Sequence, residues 1–481
     1  MPVDQAPLIA WRAIAPALSL AIGSVVTLML GAINPRTKRA VFLGLSLATI
    51  GVASYFTFSL AHERIVGMQG TVASDGVALF TNLILLFSLT IALLVSYHYM
   101  SARKLHRFEY YSLMLLATAG MVLLAGANDL ILVFISIEVL SLALYIMIGI
   151  ARRDARAQEA SLKYFLLGAF SSAILVYGIA LLYGATGQTN ISALTDRVVA
   201  QGVDARLVFA GVGLIFVGFA FKISAVPFHM WTPDAYQVAP TPVTGFMAAA
   251  TKAAAFAGLL RVALVAFGRL QYDWAPALRV IAIATMVLGS LIALVQTDLK
   301  RMLAYSSIAH AGFILAAVVA GQGGVAPALF YLLTYAAMTL GAFAMIAASG
   351  TRERLDVGSW QGMGHRHPVF AGAMTLFMLS LAGIPPTAGF MAKFFVFQSA
   401  ANARETGLVV AGVLTSALAA FFYLRVIVLM WLQDPEEETM AIGVTPAAGL
   451  ALTLVALVTI AFGVWPQAMM DLARHAAIFT G

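Results

Sequence analysis

Apolar runs of about 20 residues, the length a helix needs to cross bilayer hydrocarbon, follow one another along this 481-residue chain from Ile14 to Trp465. Charged residues gather in the short stretches between the runs, and no interval is long enough for a separate soluble domain. In lipid every backbone polar group must be met within the chain, so spans of this length are helices. Only 10% of residues are charged, against roughly 25% in soluble domains. The chain therefore reads as an all-α polytopic protein whose surroundings are the lipid bilayer. Cysteine is absent, which excludes disulfides, thiolate metal sites, iron-sulfur clusters and cysteine nucleophiles within this chain. The net charge of +7 is spread over short basic clusters between runs, the way topology is encoded, and does not point to nucleic acid. The first run follows a short polar start with Asp4 and Arg12, lacks a small-residue cleavage site at its end, and is expected to be a retained helix.

Fourteen spans are expected: 14–33, 40–61, 77–97, 110–127, 130–150, 161–185, 207–238, 240–267, 277–296, 302–320, 326–349, 369–401, 408–432 and 447–465. Connections after odd-numbered spans hold fourteen Lys and Arg, those after even-numbered spans five. Positive connections stay on the cytoplasmic side, so both termini are expected on the opposite face. Spans 7 and 12 are too long for one straight crossing and carry Pro227 and Pro233, and Gly383, Pro385, Pro386 and Gly389. Proline removes a donor and clashes with the preceding turn, so both are expected to be broken helices facing a polar interior. The breaks lie five spans apart. Spans 4–8 (110–267) and 9–13 (277–432) thus form two units with the break at the fourth place. An odd unit length inverts the second copy, as in many transporters. Spans 1–3 (1–109) and span 14 (447–481) flank them.

Four of seven lysines, Lys163, Lys222, Lys252 and Lys393, fall inside these spans, where each costs about 2.5–3.5 kcal/mol at a helix centre. Glu138 is an acid near the middle of an expected span, and its best partner by sequence is Lys163 on the next helix. Buried ammonium and carboxylate groups that influence one another can load and release protons. His229 follows Lys222 by seven residues, two helical turns and so nearly the same face, and His310 lies near the middle of span 10. Both are candidate relays, helped by the hydroxyls of Ser141, Ser224, Tyr305 and Thr334. Plainer roles compete with each assignment. Lys163 stands near the basic end of its span and could simply snorkel to the headgroups. The deeper lysines and Glu138 could be structural, and the histidines could satisfy carbonyls. Arg261 and Arg425 read as interfacial or subunit-contact residues, and the stretch 351–368, despite His365 and His367, as a solvated loop without metal.

The segments FKISAVPFHMWTPDAYQVAPTPVTGFMAAATKAAAF, LIALVQTDLKRMLAYSSIAHAGF and GIPPTAGFMAKFFVF closely resemble the antiporter-like membrane subunits of bacterial respiratory complex I, and the resemblance covers nearly the whole chain. It implies that Glu138, Lys163, Lys222, Lys252 and Lys393 are the proton-transfer residues. This sequence has Gln237 and Val238 where the family usually shows Glu and Gly. The resemblance further implies a multi-pass protein of the bacterial inner membrane with other complex I membrane subunits as partners, notably a neighbouring antiporter-like subunit and the small ones. NADH, FMN, iron-sulfur clusters and quinone would then be handled in other subunits, with no cofactor or metal held by this chain. Two alternatives remain open at this point: a subunit of a multi-subunit cation/proton antiporter, and a membrane scaffold that moves nothing.

Overall fold

The computed structural model describes residues 10–61, 63–349, 355–434 and 442–479. Among these, thirteen helices are long and apolar enough to cross a membrane and follow the expected order, with the shorter apolar helix Pro368–Ala382 in the place of span 12. Spans 1–6 are Trp11–Ile33, Arg39–Ser59, Gly76–Ala102, Phe108–Ala125, Leu130–Ile148 and Ala155–Thr186. Spans 8–11 are Thr241–Ala266, Gly268–Leu294, Leu299–Val319 and Gly321–Ala348, and spans 13 and 14 are Thr406–Leu432 and Pro446–Val464. Spans 7 and 12 are broken, as Ala205–Lys222 with Trp231–Val238 and Pro368–Ala382 with Ala388–Asn402. A hairpin of Ile65–Gly67 and Val72–Ser74 and a last helix, Pro466–Ala476, lie outside the spans.

Five of the acids between spans have a local cause. Asp75, Asp129, Asp154, Asp204 and Asp298 each precede a span and accept a backbone N–H from its first turn. An N-cap of this kind supplies a partner that the helix cannot supply for itself, typically about 1 kcal/mol. Connections of the same parity also meet. Asn128 and Asn190, from the connections after spans 4 and 6, both donate to the Gly70 carbonyl of the hairpin, at 3.0 and 2.9 Å. On the other face Leu299 N–H bonds Leu355 O at 2.6 Å and Val357 N–H bonds Thr297 O at 2.8 Å.

Spans 8, 10 and 11 form the centre, each 94% buried, whereas spans 1, 2, 6, 9, 13 and 14 are buried over only 33–39% and make the perimeter. The reason is legible in GFMAAATKAAAFAG of span 8, because small side chains let membrane helices approach closely on every side. Spans 6 and 7 show the same device at one point. A Cβ on Gly178 would stand 2.8 Å from the Gly211 carbonyl, and one on Gly211 2.9 Å from the Gly178 carbonyl.

Two sequence expectations are corrected, that for Arg261 and that for the 351–368 stretch. Arg261 is not interfacial. It is fully buried in a bidentate ion pair with Asp75, at 2.8 Å for each contact, beneath the ring of Phe479. Arg425 donates to the Leu294 and Gln296 carbonyls at the end of span 9, where a cation meets the negative end of a helix. The described part of the 351–368 stretch is more than a solvated loop, since Trp360 is fully buried and stacks on Phe370; residues 351–354 lie outside the described residues. Lys300, which the sequence places among loop cations, is also buried and donates to Ala239 O at 2.6 Å.

Removing one member of a buried ion pair leaves the other charge uncompensated, a loss of about 3–5 kcal/mol. Arg261→Met is therefore expected to lower the thermal unfolding midpoint of the detergent-purified complex. Combining it with Asp75→Asn, which keeps an oxygen for the N-cap, should recover most of that loss.

Candidate functional site

Glu138, Ser141 and Tyr145 stand at i, i+3 and i+7 of span 5 and so share one face. Lys222, the last helical residue before the break of span 7, reaches that face. Its Nζ donates to Ser141 Oγ at 2.7 Å and lies 5.9 Å from the ring centres of both Tyr145 and Tyr164. The ammonium is 2% exposed and within electrostatic range of Glu138. Glu138 itself is half-buried and accepts from Ser172 of span 6.

The expected pairing of Glu138 with Lys163 is not made. Ser172 marks the level of Glu138 on span 6, and Lys163 lies nine residues earlier, about 13 Å along the axis at 1.5 Å per residue. Lys163 is instead half-exposed, 2.6 Å from Glu159 and 3.6 Å from Asp234. Asp234 also binds Arg301 of span 10 at 2.9 Å. Gln237, in the place where an acid was expected by resemblance, accepts from Arg301 at 3.0 Å and donates to Asp298 at 3.2 Å. His229 is corrected too. The helix ends at Lys222, so seven residues no longer mean one face, and His229 sits half-buried in the unwound segment.

Lys252 follows a π-helical turn, Met247–Thr251, in span 8, the kind of irregularity that π-bulges bring to functional sites. It donates to the Ser307 carbonyl of span 10, and the Ser307 hydroxyl accepts from Tyr335 at 2.8 Å. His310, one turn along span 10, has Tyr331 OH 2.7 Å from Nδ1, Tyr423 OH 3.3 Å from Nε2 and the Tyr335 ring at 5.0 Å. Tyr423 also bonds Ser306. His310 is within electrostatic range of both Lys252 and Lys393.

Lys393 turns back along span 12 to the end of its first half, donating to Ala382 O at 2.8 Å and Leu381 O at 3.3 Å. Helix-terminal carbonyls carry a partial negative charge and lack internal partners, so the ammonium acts as their cap. Gly383 makes this possible: its φ is +82°, and a Cβ there would lie 2.9 Å from Lys393 Cδ. An aromatic wall joins the two groups of lysines. Tyr164 stacks on Trp231 at 4.2 Å, Trp231 meets Tyr236 at 6.1 Å, and the Tyr236 hydroxyl bonds Ser307.

Tyr331, Tyr335, Tyr423, Ser172 and Ser307 were not singled out by sequence, since their spans carry several hydroxyls each and the sequence gives no sign of which of them face the interior. Of the four hydroxyls that were, Ser141 holds a lysine. Ser224 accepts from Thr232 at 2.8 Å, Thr334 donates to carbonyls of its own helix, and Tyr305 lies beside Arg301.

Residues 127–419 match the transmembrane family of NADH:quinone oxidoreductase and Mrp antiporter subunits, a stretch that holds all of this arrangement except Tyr423. The NADH-quinone oxidoreductase subunit N of Trichlorobacter lovleyi is 40% identical over 467 residues, 96% of each chain. A chain of respiratory complex I from Thermus thermophilus superposes with a TM-score of 0.81 at 34% identity, over 95% of this chain and 98% of that one. A chain of the Mrp complex from a Dietzia species does so with a TM-score of 0.86 at 23% identity over 97% of each, which shows the shared fold. The protein belongs to the NADH:quinone oxidoreductase/Mrp antiporter membrane family. Within that family it falls in the subunit N group of the NADH-quinone oxidoreductases.

Ser141→Ala takes away the hydroxyl that holds Lys222, and a buried cation left without it costs about 1–3 kcal/mol. A lowered thermal unfolding midpoint of the purified complex is expected. Lys163→Met, at a half-exposed pair, is expected to leave that midpoint in place.

Proposed function

We propose that this chain moves protons across the membrane through Glu138, Lys222, Lys252, His310 and Lys393, driven by electron transfer from NADH to quinone in other subunits of the complex. The observation that carries this reading is that Lys222, Lys252 and Lys393 are all at most 4% exposed, yet the groups they donate to are neutral hydroxyls and carbonyls. A buried ammonium held this way loses its proton without stranding a counter-charge. Histidine, whose ordinary pKa lies near neutrality, stands between the last two lysines with a tyrosine hydroxyl beside each ring nitrogen.

In this reading Glu138 works on Lys222 by field across Ser141. Lys163, with Glu159, Asp234 and Arg301, belongs to the basic face, where protons would be taken up. His229 is a weaker candidate at the edge of the first break. Units 110–267 and 277–432 are inverted copies, odd connections are cytoplasmic, and both termini are periplasmic in the bacterial inner membrane. FMN, iron-sulfur clusters and quinone are bound by other subunits, and the neighbours are another antiporter-like subunit and the small membrane subunits. The 40% identity to a subunit N chain favours this over an ion-gradient-driven antiporter, whose likeness is one of fold.

A positioned proton-transfer group contributes on the order of 10²–10⁴-fold. Lys222→Met, Lys252→Met and Lys393→Met, each in assembled complex reconstituted into vesicles, are expected to lower the proton translocation rate by about 10²-fold or more, with flavin content unchanged. Unchanged protons per electron in all three would establish the scaffold instead.

A further inference from the structure

The unwound segment between Lys222 and Trp231 satisfies its backbone mostly from within span 7. Ser224 N–H bonds Phe221 O at 3.2 Å, Ala225 N–H bonds Ala220 O at 2.8 Å, and Phe228 N–H bonds Ala225 O at 2.7 Å. Trp231 Nε1 closes the segment onto Phe221 O at 3.0 Å. The Val226 N–H alone leaves the span among the hydrogen bonds of this segment, donating at 3.0 Å to Thr285 Oγ1 of span 9. Thr285 is 0% exposed and gives its own hydroxyl hydrogen to Ile281 O at 2.6 Å. Its oxygen is thereby oriented as an acceptor toward the break.

Span 9 is itself made fast to later elements. Arg279 binds Glu405 through two contacts of 2.6 Å, just beyond the half-helix that carries Lys393. At the other end Arg425 of span 13 holds the Leu294 and Gln296 carbonyls. The Thr285 bond therefore ties the backbone four residues beyond Lys222 to a helix anchored in spans 9–13. Lys222 is anchored at its tip to span 5 by Ser141. The titratable groups that face it are Glu138 and Tyr145 from span 5 and Tyr164 from span 6.

We propose that Thr285 is a positioning residue for Lys222, holding the break of span 7 from span 9 so that the ammonium stays on Ser141 and within the field of Glu138. This rests on the reading of Lys222 as a proton carrier. It adds that the second five-span unit sets the placement of the first unit's lysine, so that a shift of span 9 reaches Lys222 through one hydrogen bond.

The test uses assembled complex in vesicles, with proton translocation per electron measured across a pH series. Thr285→Val keeps the shape and removes the acceptor, and Thr285→Ser keeps the acceptor. Thr285→Val is expected to assemble with normal flavin content and to move the midpoint of the pumping pH profile by about one unit, a tenfold change in apparent proton affinity. Thr285→Ser should superpose on the parent. Should Thr285→Val not assemble, Thr285→Cys, with a weak sulfur acceptor, carries the same expectation. A Thr285→Val profile that superposes on the parent, with or without a lower yield of complex, overturns the proposal. Lys222→Met in the same series separates the two ideas. Undiminished pumping there removes the proton-carrier reading itself, whereas lost pumping there with parental behaviour in Thr285→Val removes only the role of Thr285.

Discussion

Backbone groups set free inside a membrane have no water to turn to, and the way this chain meets them at its two breaks determines most of what surrounds them. A carbonyl or N–H left unpaired in hydrocarbon costs several kcal/mol, so each break needs donors and acceptors supplied by nearby side chains. At span 12 the donors come from Lys393, whose ammonium sits on Ala382 O and Leu381 O, while Ser380 Oγ accepts the Gly389 N–H at 3.1 Å. At span 7 the indole of Trp231 serves Phe221 O and the hydroxyl of Thr285 serves Val226 N–H. The breaks are therefore solved differently. One is capped by the lysine that it exposes, whereas the other frees its lysine to reach a hydroxyl on span 5.

That difference explains what sequence reasoning could and could not see. The fourteen spans and both breaks follow from run length and from Pro227, Pro385 and Pro386, because apolar length and the loss of a backbone donor are local properties. The depth of Lys222, Lys252 and Lys393 is local too. Pairing across helices is not. Glu138 and Lys163 are on consecutive spans, but their levels differ by several turns, and run boundaries uncertain by a few residues hide that offset. His229 was placed by helical periodicity extended through a segment that is not helical. Arg261 was assigned to the surface because its acid, Asp75, lies outside the apolar run as an N-cap, where nothing marks it as buried.

The buried charges fall into two kinds, and the contrast bears on which of them can move protons. Arg261 and Asp75 are opposite charges in direct bidentate contact, both essentially unexposed. Arginine is always protonated, and neutralising the aspartate would leave that guanidinium alone in the interior. Such a pair is a fixed staple between spans 3 and 8. The three deep lysines have neutral partners instead, so each has two tolerable states: charged while capping a dipole, or uncharged with a carbonyl or hydroxyl left to a neighbouring donor.

Two tolerable states are useful only if something tilts the balance between them. For Lys222 the proposed reading assigns that part to the half-buried Glu138, one turn along span 5 from Ser141. For Lys252 and Lys393 the proposed reading assigns that part to His310, which is tied by Tyr331 and Tyr423 to spans 11 and 13. In the reading proposed above, the imidazole, whose hydrogen-bond partners lie on spans 11 and 13, is the group in the second half through which a movement of those spans would act on the lysines. The arrangement makes the tyrosine hydroxyls part of the device even though none of them needs to ionise.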